Sequence, residues 1–277
     1  MDSLQQLKKI QEALPENGLL MPLFFIGHGS PMNGIEDNLF SRGWREAVRH
    51  LPAPKAVLVI SAHWLTRGSF ITAMDKPRTI HDFGGFPEAL YQVQYTAPGD
   101  PVLAQETINL VKATKLEADH EWGLDHGTWS VVRHMYPDAN IPVLQLSIDY
   151  AKDAQWHYQL AADLFELRKR GVLIIGSGNM VHNLRMVAWE KLNEINYGFD
   201  WAHQINDKMK TYIRDGAHEN LIQYQKMGKE ALLAIPTPDH YYPLLYILGL
   251  QKGQEAVEFF NDQAVGGSLT MTSVKIG

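Results

Sequence analysis

The stretch Leu23-Phe24-Phe25-Ile26-Gly27-His28-Gly29-Ser30-Pro31-Met32 is the one from which the rest of the chain can be read. Four apolar residues run without interruption into a histidine set between two glycines. An apolar run that halts at glycine reads as a buried strand emptying into a tight loop, so His28 falls just past the strand's carboxyl end. In open α/β sheets ligands gather at that edge. Glycine on both sides lets the backbone approach whatever the imidazole holds. The bland alternative is a histidine that only caps a turn, and this stretch alone does not choose between the two.

The same pattern recurs downstream. Ala56–Ile60 (AVLVI) is a second β-branched run, continuous as a strand covered on both faces should be, and it ends in Ser61-Ala62-His63-Trp64. Val172–Ile175 leads through Gly176-Ser177-Gly178-Asn179-Met180-Val181 to His182. Pro142–Ile148 is a third core strand in chain order, and Phe70–Ala73 is a short one. Between them the apolar spacing predicts helices over Glu36–His50, Asp100–Val111 with Pro101 at its first position, and Asp153–Arg170 closed by Gly171. Further helices are predicted over Phe199–Tyr212 and Ala217–Gln225. Thr237-Pro238-Asp239-His240 opens another, with Thr237 as cap and His240 in the first turn. Leu4, Leu7, Ile10 and Leu14 form a helical stripe within residues 1–20, expected to pack on the domain edge. Gly267–Ile276 alternates as a closing strand. Two glycine- and aromatic-rich loops, His81–Pro87 and Trp122–Trp129, interrupt the pattern. Strands alternating with helices and no linker predict one α/β domain over residues 1–277, with a central mostly parallel or mixed sheet flanked by helices.

Composition narrows the chemistry. Of 277 residues, 45% are hydrophobic and 20% charged, the net charge is −6, cysteine is absent and histidine numbers 12. No basic run points to nucleic acid, and no apolar run approaches the ~18 residues of a membrane span. The first 18 residues lack an apolar signal core, so a cytoplasmic location is expected. Without cysteine, any metal must be held by histidine, carboxylate or water. His50, His134, His157, His203 and His218 lie in helical or flanking polar stretches and read as solvated surface residues. His81 and His120 stay open. His28, His63 and His182 each follow a separate buried strand, so strands running the same way would bring them together, with His240 able to join. Neutral imidazole is a common ligand for zinc, iron and copper. GSGNMV at 176–181 only partly matches a dinucleotide loop, and no P-loop, H-E-x-x-H or G-x-S-x-G is present. From the residues alone, a zinc-dependent hydrolase and a non-catalytic metal-binding protein both stay open.

Six segments taken in order then narrow the choice: GHGSPM (27–32), SAHW (61–64), HDFGGFP (81–87), DHG (125–127), GSGNMVHN (176–183) and TPDHYYPLLY (237–246). Together they resemble the class III extradiol ring-cleaving dioxygenases of the LigB-like group, in its DOPA 4,5-dioxygenase branch. The resemblance implies that His28, His63 and His240 hold a metal. It implies that His182 is a fourth ligand or an acid/base, and that His126 faces the substrate pocket as a catalytic residue. It further implies a small catechol substrate such as L-DOPA, opened by O2 beside one hydroxyl to a semialdehyde. Ring cleavage of this kind calls for Fe(II). An all-histidine site also suits zinc, which is therefore expected in purified protein. Asp239 is adjacent to His240 and is not expected to share its ion. The oligomeric state is left open.

Overall fold

The structure, a computed structural model, describes residues 20–277; the expected helix within residues 1–20 lies outside them except for Leu20. β1 (Leu23–Gly27) is buried at every position. The other strands are β2 (Ala56–Thr66), β3 (Ser69–Thr72), β4 (Leu116–Asp119), β5 (Val143–Asp149), β6 (Val172–Gly178), β7 (Val257–Phe260), β8 (Ala264–Val265), β9 (Leu269–Thr270) and β10 (Ser273–Ile276). Eight of them form one sheet in the order β4-β3-β5-β2-β6-β1-β10-β7, and β8 pairs with β9 separately. The heart of the sheet, β5-β2-β6-β1, is parallel. Antiparallel pairings of β3 with β5, β10 with β1 and β7 with β10 make the whole mixed.

The apolar runs are continuous because both faces of this sheet are covered. Leu23 and Phe25 of β1 join Leu58, Ile60 and Ile174 in one core, beneath helices Ala154–Ala161 and Tyr242–Leu250. Phe24 and Ile26 point the other way, joining Val57, Val59, Leu173 and Ile175 beneath Leu39–Val48 and His126–Met135. The register then aligns the strand exits: Gly27 pairs with Gly178, and Ser61 with Ser177. β1 and β6 therefore end at one level, and β2 passes that level at Ser61 on the same edge.

Several elements depart from expectation. β2 does not stop before His63 but runs on to Thr66, with a register shift against β5 between Ile60 and Leu65. His63 thus sits in an irregular strand segment, the kind of bulge that re-aims a side chain. The predicted helix Asp153–Arg170 is broken by a 3₁₀ turn at Ala162–Leu164. The tighter turn keeps Leu160, Leu164 and Leu167 all buried. In it, the Asp163 carboxylate accepts the amides of Lys112 and Ala113 at 2.5 and 2.8 Å. Helix His218–Ile222 is shorter than the predicted Ala217–Gln225 and is followed by a 3₁₀ turn. The Trp122–Trp129 loop gives way to a helix at His126, capped by the Asp125 side chain on the Thr128 amide. The closing strand is divided into β9 and β10.

The late helix begins at Tyr242 with Pro243 in its first turn, so His240 precedes the helix. His240's carbonyl accepts the Asn179 amide at 2.9 Å, which holds the 237–241 turn against the end of β6. His157, read from the sequence as a surface residue, is fully buried, its Nδ1 3.0 Å from the Tyr246 hydroxyl. Helical spacing did not reveal that this face of Ala154–Ala161 packs on the equally apolar Tyr242–Leu250. No helix among the described residues is long and apolar enough to cross a membrane.

Candidate metal centre

His28 leaves β1 with its amide donating to Gly178 O at 3.1 Å, so the β1–β6 ladder itself places the residue. Its side chain is almost entirely buried, and its Nδ1 lies 2.9 Å from Ser177 Oγ. The Ser177 hydroxyl donates its one proton to Gly127 O at 2.6 Å. Ser177 must then accept from His28, which puts the ring proton on Nδ1 and leaves the Nε2 lone pair free. His240 is held the same way, its Nδ1–H donating to the Asp239 carboxylate. Asp239 is held below the ordinary carboxylate range: burial alone would raise it, and the His240 hydrogen bond and charge, with hydrogen bonds from Thr237 and the backbone, together outweigh that. A carboxylate or hydroxyl behind the ring, fixing its tautomer, is the usual support of a metal-bound histidine.

His63 completes the group. Its Nε2 is 3.1 Å from His28 Nε2, and its Nδ1 is 3.4 Å from Asp82 Oδ2. With its proton held on Nδ1 by Ser177, His28 turns its Nε2 lone pair toward His63 Nε2, a spacing that a cation bound by both rings would fit. Two nitrogens each about 2.0–2.1 Å from one ion stand about 3 Å apart, so the donor set fits a metal. Ligand atoms of His28, His63 and His240 all lie within 4.8 Å of one another. Burial, reinforced by the neighbouring imidazoles, pushes His28 and His63 well below the ordinary histidine pKa, so both are neutral at neutral pH.

His182 is placed differently. Its ring stacks on His240 with centroids 3.6 Å apart and planes 6° from parallel. The in-plane lone pairs of parallel rings run side by side and do not converge. The structure thus brings together His28, His63 and His240, and sets His182 against one face of His240, in a second group with Asp239. Burial first, then His240, pushes the His182 pKa down to about 3.

His126 opens its helix beside this centre, its ring 3.9 Å from that of His63 and 5.5 Å from that of His28. Its Nδ1 lies 2.9 Å from Asp82 Oδ2. Phe83 stands edge-on to it at 5.6 Å. Gly127 is required by close approach: a Cβ there would meet Ser61 Oγ at 2.5 Å and His63 Cδ2 at 3.0 Å. Asp125, fully buried, accepts from Ser61 Oγ and Gln145 Nε2 at 2.7 Å each, locking the DHG turn onto β2 and β5. Asp82, Ser177 and Asp125 are polar supports that the sequence reading did not single out. Asp82 and Asp125 lie inside quoted motifs, but only the fold reveals what their carboxylates face.

Residues 22–274 match the family described as the catalytic LigB subunit of aromatic ring-opening dioxygenase. The chain belongs to this family. It is 47% identical over 261 residues to a 4,5-DOPA dioxygenase extradiol of Escherichia coli K12, covering 93% of this chain and 95% of the relative. It is 37% identical to the protein of that name from Beta vulgaris, covering 91% and 95%. A crystal structure of an uncharacterised protein from E. coli K12 superposes with a TM-score of 0.80 at 41% identity, covering 93% of this chain and all of that one. This LigB-family chain is thus an extradiol ring-opening oxygenase, metal-dependent, acting with O2 on a small aromatic molecule.

Proposed function

We propose that this LigB-family enzyme opens a catechol of the L-DOPA type by 4,5-extradiol cleavage to a semialdehyde. In this reading His28, His63 and His240 hold Fe(II), His126 moves the proton, and residues 1–277 act as one catalytic domain. The observation that carries the reading is the facing pair of His28 and His63 Nε2 atoms, 3.1 Å apart, with a further imidazole, His126, alongside that the ligand set does not use. The DOPA assignment rests on the relatives' names. Fe(II), when bound, supplies the electron path between ring and dioxygen that redox-inert zinc lacks.

The rest is work for the chain's own side chains. With its ring proton given to Asp82, His126 offers an Nε2 lone pair to take the proton of a catechol hydroxyl and later return it, as a positioned general base and acid. The Phe83 edge packs on the same imidazole and offers an apolar wall to an aromatic ring. Ser177 and Asp239 keep the His28 and His240 Nε2 atoms deprotonated and directed at the ion. His182, flat against His240, restricts that ring's rotation. Zinc suits the neutral all-histidine set and is expected in protein purified in air, in a form inert toward catechols.

The test is anaerobic reconstitution with Fe(II), followed by oxygen-electrode and absorbance measurements on L-DOPA and a panel of catechols. Oxygen uptake with formation of a yellow product is expected from the iron form alone. No uptake with any catechol, together with zinc-dependent ester or amide hydrolysis, overturns the reading in favour of a hydrolase.

A further inference from the structure

Residues 78–82 run alongside 122–126 as a short parallel ladder. Leu124 N–H donates to Arg78 O at 2.8 Å, and Ile80 N–H donates to Leu124 O at 2.7 Å. The ladder's next acceptor, Ile80 O, is taken instead by the Trp129 indole N–H at 2.8 Å. The His126 amide is passed on to a side chain, Asp82 Oδ1, at 2.9 Å. That carboxylate's other oxygen, Oδ2, is 2.9 Å from His126 Nδ1 and 3.4 Å from His63 Nδ1. One carboxylate therefore grips the backbone and ring of His126 and also lies behind His63.

We propose that Asp82 is the positioning residue of this site, holding His126 in the Nδ1–H tautomer and tying it through one oxygen to the metal-binding imidazole of His63. The role follows from geometry. Three nitrogens of these two histidines lie within 3.4 Å of the carboxylate's two oxygens, and a carboxylate only accepts. His126 Nε2 is left as the ring's basic atom, and it has no hydrogen-bond partner among the described residues. Acid/base residue and metal ligand are then oriented by one group, so they shift together. The role assigned to His126 rests on the ring-cleavage reading; its tautomer does not.

Asp82→Asn separates positioning from simple capping. The amide oxygen still accepts the His126 backbone N–H, which preserves the cap. The amide NH2 now faces His126 Nδ1, which must accept, and the ring proton moves to Nε2. Zinc-loaded, ¹⁵N-histidine-labelled protein reads this directly by long-range ¹H–¹⁵N NMR, with His126 assigned by its loss in His126→Gln. Nδ1–H is expected in the wild type and Nε2–H in Asp82→Asn. Zinc affinity, by chelator competition, is expected to fall about 10–100-fold. In the Fe(II) enzyme, kcat is expected to fall about 10²–10⁴-fold with KM far less changed.

A wild-type His126 carrying its proton on Nε2 overturns the proposal without any variant. So does an Asp82→Asn protein with the wild-type tautomer, whatever its stability. Unchanged zinc affinity overturns the link to His63. A wild type that opens no catechol overturns the ring-cleavage reading instead, and leaves Asp82 to be decided by the spectra.

Discussion

His126 and His240 are both buried imidazoles whose Nδ1 proton goes to a carboxylate, yet their removal should have opposite signatures. On the proposed assignment His240→Ala deletes one of three converging ligand nitrogens, and metal analysis after desalting should show most of the zinc gone. His126→Gln should keep its zinc while the iron form loses about 10²–10⁴-fold in turnover, the usual contribution of a positioned acid–base group. Full zinc retention in the first variant, or zinc loss in the second, would exchange the two roles. His28 and His63 could be picked out from the chain because each follows an apolar run that only a buried strand explains. Asp82 could not, because a carboxylate in a glycine-rich loop looks the same whether it faces water or two imidazoles 44 and 19 residues away.

At the level of elements, the end of β6 and the turn before helix Tyr242–Leu250 are pressed together. A Cβ at Gly178 would run directly into the carbonyl oxygen of His240. Backbone cannot give way as a flexible side chain does, so Gly178→Ala should cost about 1–3 kcal/mol or more and lower zinc occupancy as well, by pushing His240 off the centre. Urea midpoints and metal content check both. A variant as stable and as zinc-rich as wild type would mean that the 237–241 turn adjusts freely. The sequence located this turn but assigned its residues to a helix. Proline is tolerated in the first helical turn, and Pro238 and Pro243 both qualify. The competition was settled by Asn179 and Gly178, which hold His240's carbonyl outside the helix.

Across the whole molecule, both faces of the sheet are sealed, and polar groups inside the seal make stability depend on pH. His157 is fully buried, and burial depresses its pKa from 6.5 to about 4. Between those values the unfolded chain binds a proton that the folded one refuses. Stability from this group is thus intact above pH 6.5, falls as the pH drops toward 4, and levels off below it. The loss is on the order of 3 kcal/mol. Urea midpoints measured from pH 7.5 to 4.5 should fall more shallowly for His157→Gln than for wild type. Equal slopes would show that His157 takes up its proton without unfolding.

By itself the sequence determined the class of sheet and the edge at which the histidines gather. Runs such as LFFI, AVLVI and VLII have no polar face to show to water, so they must be strands covered on both sides, and a histidine just beyond them has few places to go. The ordered motifs carried the family for the same local reason, since each is a short stretch whose residue types are its own message. Tertiary structure alone decided what those residues meet. The pairings of Gly27 with Gly178 and of Ser61 with Ser177, the bulge that turns His63 inward, the stacking of His182 on His240 and the grip of Asp82 on His126 all join segments far apart in the chain. Such contacts depend on which faces pack together and which hydrogen-bond partners remain once water is excluded, and no local pattern of residues encodes that.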